Sequence, residues 1–125
     1  MDRAFATEDK RRAIAHGERA VSVRVTLGDA KDLGAALDNL GLLYANARDY
    51  EMALVVMERS LAIAEEAGDV DDLATVLSNL GGVCADAKLF AKAIDYYERA
   101  LPLIRHQAEH ESIVSALDAL RAGQT

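Results

Sequence analysis

The stretch "DNLGLLYA" at residues 38–45 returns as "SNLGGVCA" at 78–85, an interval of forty residues. A fixed interval constrains the fold before any single residue is interpreted, because it asks for one supersecondary unit to be built again beside the first. Sliding the chain by forty aligns Leu37 with Leu77, Asn39-Leu40-Gly41 with Asn79-Leu80-Gly81, and Ala47 with Ala87. Downstream, Tyr50 meets Phe90, Ala53 meets Ala93, Glu58-Arg59 meets Glu98-Arg99, and Leu61 meets Leu101. The offset also reaches backward, setting Ala13-Ile14 under Ala53-Leu54 and "LGDAKDL" (27–33) under "AGDVDDL" (67–73). Forward, Leu117 and Leu120 stand forty beyond Leu77 and Leu80. Two full units with a half unit at each end account for the chain.

Within a unit the apolar residues recur three and four apart: Leu33, Leu37, Leu40 and Tyr44, then Tyr50, Ala53, Leu54, Met57 and Leu61. That is the spacing of one helix face, and no alternating strand pattern accompanies it. Asp29 and Asp69 precede helical runs and have Asp32 and Asp72 three places on, which suits N-caps with acidic first turns, and Asp49 suits a third cap. Gly28 and Gly68 mark the helix ends before them. The pattern predicts six helices, over 8–27, 30–46, 49–66, 70–86, 89–105 and 110–122. Pro102 removes the hydrogen bond to the Glu98 carbonyl and is expected to bend the last turns of the fifth. Gly41 and Gly81 fall inside helices, where glycine costs about 1 kcal/mol against alanine, so a close helix crossing is expected there, with Ala53 and Ala93 as its small partners.

At these residues the chain resembles the tetratricopeptide repeat family, whose helix pairs carry a large residue, Leu-Gly, Tyr, then Ala, an aromatic and Ala at set spacings. The matching positions are Leu37, Leu40-Gly41, Tyr44, Ala53, Met57 and Ser60, then Leu77, Leu80-Gly81, Cys84, Ala93, Tyr97 and Ala100. The forty-residue period with Gly-Asp between units is similar to the repeats of Partner-of-Inscuteable-type scaffolds, kinesin light chains and bacterial signalling regulators. The usual Trp is Leu here, the unit-ending Pro is absent, and Arg48 and Lys88 stand where the turn normally has Gly. The expected architecture is an all-α, right-handed superhelical solenoid of antiparallel helix pairs. It forms one domain over 1–125: a half unit (8–27), a repeat (30–66), a second repeat (70–105) and a capping helix (110–122), in which Ile113, Leu117 and Leu120 turn inward.

The resemblance implies a noncatalytic protein–protein interaction scaffold whose concave groove, lined by the first helix of each pair, holds a peptide segment of a partner. In that family an asparagine at the position of Asn39 and Asn79 holds the peptide backbone, for which an amide offers two donors and an acceptor. Family position adds Asp38, Leu42 and Asn46 to the groove in one unit, and Thr75, Ser78 and Asp86 in the next. The Lys and Arg residues of the family's carboxylate clamp are missing, so an uncharged or basic segment is the expected ligand. Two other roles stay open: a sensor or regulatory arm of a larger signalling or transcription regulator, and a homo-oligomerisation module.

Charge and composition sharpen these expectations. The net charge of -7 is uneven: residues 1–26 hold six Lys/Arg against four Asp/Glu, leaving eight against seventeen for the rest. An acidic body repels phosphate backbones, which disfavours nucleic acid as a ligand of the main surface. The longest apolar runs, such as "ALVVM" at 53–57, fall far short of the roughly 20 residues that span a bilayer. Lys10-Arg11-Arg12 interrupts any signal-peptide pattern near the start, so a cytoplasmic location is expected. These bases share a helix with Arg3, Arg19 and Arg24 and read as a solvated face. On the same helix Ala13, Ile14, Val21 and Val25 lack a partner helix of their own unit, an apolar face that invites a homodimer through Ile14 and Val21 or marks a fragment.

Cys84, the single cysteine, takes the place of Tyr44 in the repeat and reads as a buried small hydrophobe. His106 and His110 lie four apart near Glu109 and Glu111, without the Glu that follows the first His in zincins, and the repeat alignment sets them across a helix–helix turn. Neither a metal nor another cofactor is expected. With no phosphate loop, carboxylate pair or nucleophile triad in the sequence, an enzyme is not expected either.

Overall fold

The computed structural model describes residues 3–123, with side chains from Thr7 onward. Its contacts divide the chain into two compact units, 1–67 and 68–125. The first unit holds α1 (Arg3–Leu27), α2 (Ala30–Asn46) and α3 (Tyr50–Ala67). The second holds α4 (Val70–Asp86), α5 (Phe90–Ala100), a 3-10 turn at Leu101–Leu103 and α6 (Gln107–Gly123). No strand occurs among the described residues.

Local chemistry sets the helix ends. Asp29 and Asp69 accept hydrogen bonds from the Asp32 and Asp72 amides at 3.2 and 3.1 Å, and Asp49 accepts one from Met52 at 3.2 Å. Each satisfies a donor that the first helical turn leaves over. The predicted spans 30–46 and 70–86 coincide with α2 and α4. Three others shift: α1 begins at Arg3 instead of 8, α3 runs Tyr50–Ala67 instead of 49–66, and α6 begins at Gln107 instead of 110. Pro102 does more than bend α5, which stops at Ala100; after the 3-10 turn the backbone is extended at Ile104, with φ -83° and ψ 124°.

In the first unit α2 packs against both α1 and α3, burying Leu37, Leu40, Tyr44, Ala53, Met57 and Leu61. A Cβ on Gly41 would lie 2.8 Å from Met57 Sδ and 3.3 Å from the Ala53 carbonyl oxygen. On Gly81, in the second unit, it would lie 2.7 Å from the Tyr97 ring. The helix crossing is as close as the sequence implies: Gly41 makes room for Met57 and for the backbone of the small Ala53, and Gly81 makes room for the Tyr97 ring.

The second unit joins α4 to α5 in an antiparallel pair and closes it with α6. Tyr97, Ile113 and Leu117 form a buried cluster, with Ile94, Leu101, Ile104, Ala116 and Leu120 packed against it. The inward face expected for α6 is therefore present. Arg121 stands where Gly41 and Gly81 stand in the two repeats, and its guanidinium turns back to Glu98 at 3.1 Å.

Candidate functional site

In the second unit a cleft of about 360 Å³ opens along the first half of α4. One wall is helical and carries Asp71, Ala74, Thr75, Ser78 and Asn79. The other is the strap from Leu103 to His106 that follows the 3-10 turn, joined by Glu109 of α6. Helical periodicity puts Asp71, Thr75, Ser78 and Asn79 on one face, since residues three and four apart are neighbours there. The Thr75 hydroxyl donates to the Asp71 carbonyl at 3.0 Å. Arg105 Nε approaches Asp71 Oδ1 at 3.7 Å, joining the two walls across open water.

Three of the four groove residues expected on α4 thus share a cleft. Asn79 and Ser78 are half-buried in it, and Thr75 is exposed. The fourth, Asp86, is exposed and lies outside the cleft lining. Burial, then the charge of Asp86 and the neighbouring Cys84, holds the Tyr97 hydroxyl above its usual range. In the sequence His106 and Glu109 read only as parts of a histidine cluster, with no strap beside α4; Pro102 was the signal that could have pointed to it.

In the first unit Asn39, Leu42 and Asn46 of α2 are exposed, as a binding face requires. Asp38 is different: it is only 7% exposed and presents little surface to a groove. It stands four beyond Gly34 and three before Gly41, on the face those small residues give to α3. Ile14 and Val21 are half-buried on a helix packed against α2, so the open apolar surface of α1 consists instead of Val23, Val25 and Leu27, at 51, 54 and 68% exposure. Tyr44 ties this pair together through a hydrogen bond to Glu18; burial first, then the charges of Glu18 and Asp49, raises its hydroxyl above the usual range.

The basic face is solvated in part: Arg11, Arg12 and Arg19 are exposed, Lys10 and Arg24 are half-buried, and the Arg3 side chain lies outside the described residues. Cys84 is buried and free. His106 and His110 do not straddle a turn, because the His110 amide donates to the His106 carbonyl at 3.0 Å in the opening turn of α6. Among the described residues no group of three or more metal-ligating side chains comes together. None of their helices is long and apolar enough to cross a membrane.

Paired antiparallel helices repeated at forty residues, with a polar face on the first helix, define an all-α helical-repeat protein. The chain belongs to the tetratricopeptide repeat family, whose model, described as "Tetratricopeptide repeat", matches residues 32–106. Members of that family are in general protein–protein interaction scaffolds. A similar fold occurs in the crystal structure of BtubC (BKLC) from P. vanneervenii, with a TM-score of 0.72 over 92% of this chain at 23% identity. This chain spans 50% of that one. No curated protein matches.

Proposed function

We propose that the protein is a noncatalytic interaction module that holds an uncharged or basic peptide segment of a partner protein in the Asn79 cleft of its second unit, the exposed polar face around Asn39 in the first unit offering peptide contacts of its own. The observation that carries this reading is the convergence of Asn79, Ser78 and Thr75 in one cleft. A half-buried amide there can meet a peptide group with both donor and acceptor, and the neighbouring hydroxyls can do the same without selecting a side chain. The cleft carries Asp71 and Glu109 against Arg105, which disfavours a strongly acidic segment. The forty-residue period supports placement among the long-repeat members of the family, acting in the cytoplasm.

The test compares the wild-type chain with Asn39→Ala/Asn79→Ala in pull-downs read by quantitative mass spectrometry, followed by calorimetry with synthetic peptides from any partner found. Equal helicity of the two proteins by circular dichroism is the control. The expected result is a partner held by the wild type and lost by the variant. Equal retention by both would overturn the assignment of these asparagines.

A further inference from the structure

We infer that the Leu103–His106 strap, one wall of the Asn79 cleft, is a weak latch whose tip is held toward α4 by the Arg105–Asp71 ion pair and released by anything that competes for that pair. The strap exists because Pro102 has no amide hydrogen and stops α5 at Ala100, so the chain leaves the helix and runs beside α4. Its root is fixed: Leu103 and Ile104 are half-buried, and Ile104 packs on the Tyr97, Ile113 and Leu117 cluster. Its tip is not. Arg105 and His106 are exposed, and the tie from Arg105 to the helical wall is the contact to Asp71 at 3.7 Å.

The two side chains of that pair are 71 and 74% exposed, so water and salt compete for both partners. Such a contact biases the strap toward closure without locking it. A partner charge near Asp71 or Arg105 replaces the internal pair and frees the tip, which lets the strap move away from α4 as a peptide enters. The consequence for binding rests on the peptide-seat reading above; the latch itself does not.

Ser78 lines the cleft and Cys84 is fully buried, so Ser78→Cys introduces a single accessible thiol under the strap. The experiment measures the reaction rate of that thiol with a chromogenic aromatic disulfide. It is done in the Ser78→Cys protein alone and with Arg105→Gln, with Asp71→Asn, and with the charge swap Arg105→Asp/Asp71→Arg, after circular dichroism shows equal helicity. Either single change is expected to raise the rate about two- to five-fold, and the swap to return most of it. Raising salt from about 0.02 to about 1 M should accelerate the protein with the intact pair and leave the two single variants unmoved. Equal rates in all four proteins, or acceleration by only one of the single changes, would overturn the latch. Neither result touches the pull-down comparison, so failure of the latch and failure of the peptide seat are separable.

Discussion

The two repeats reach the same backbone by different side chains. Where the first repeat puts Gly34 opposite Ser60, whose buried hydroxyl donates to the Gly34 carbonyl at 2.7 Å, the second puts Ala74 and Ala100, both buried. Where the first fills the space beside its helical glycine with Met57, the second uses the ring of Tyr97. Asp49 caps α3, while Leu89 opens α5 with no side-chain hydrogen bond. Only the backbone demands recur unchanged: the glycine at the crossing, the Asp caps of α2 and α4, and the left-handed turn inside each pair. The difference teaches that a repeat specifies closeness of approach and helix ends, and that volume can be redistributed across a contact as long as the total fits.

The largest effect should come from testing how forgiving each crossing is. Gly81→Ala drives a methyl group into the Tyr97 ring, which is held by Ile113 and Leu117 and cannot retreat. A loss of about 1 to 3 kcal/mol is expected, read as a lower urea midpoint at constant slope. Gly41→Ala also meets an obstacle, the Cγ of the fully buried Met57 and the Ala53 carbonyl oxygen at 3.3 Å, but an unbranched side chain yields further than a ring and helix propensity gains about 1 kcal/mol, so a smaller net loss is expected. Equal losses at the two sites would show that the contacted side chain does not matter and would break the comparison.

That contrast also marks what a sequence of this kind reveals. The period and the apolar spacing were enough for the helix pairs, and the Asp residues at 29, 49 and 69 were enough for three helix starts, because caps are local interactions. Thr75, Ser78 and Asn79 were placed together by the family resemblance, and helical spacing puts them on one face. The opposite wall of the cleft was not legible, since the repeat alignment carried α5 on to 105 and so hid the strap under helix; the chain follows Pro102 there and not the period. Asp38 enters the groove by family position alone; its spacing from Gly34 and Gly41 sets it on the packed face, in keeping with its 7% exposure.

The cap difference supplies a smaller effect of opposite sign. Leu89→Asp gives α5 the carboxylate that α3 already has, facing the otherwise unsatisfied amide of Lys92. Leu89 is 39% exposed, so the larger part of its surface is covered and losing it offsets part of the gain from the cap. A net stabilisation of at most about 1 kcal/mol is expected, a rise in Tm of up to about 4 °C. Asp49→Leu should lower it by a similar amount. A fall in Tm for Leu89→Asp would mean that Leu89 contributes packing that its position in the repeat does not suggest.

The smallest effect lies where the two repeats agree most. Arg48 and Lys88 both have φ of 64°, the left-handed conformation that the family usually assigns to glycine. The amides after them hold the turn in the same way, Asp49 to the Tyr44 carbonyl at 2.9 Å and Leu89 to the Cys84 carbonyl at 2.8 Å. An L side chain there costs on the order of 1 kcal/mol, and glycine would relieve it while adding most of that back as unfolded-state entropy. Arg48→Gly and Lys88→Gly should therefore each stabilise by about 0.5 kcal/mol, roughly 2 °C in Tm, and by the same amount as each other. The equality is the informative part. If the backbone conformation alone sets the cost, the identity of the long cation is irrelevant and the two shifts coincide; a larger gain at one turn would show that its side chain, and not its φ, carries the difference between the repeats.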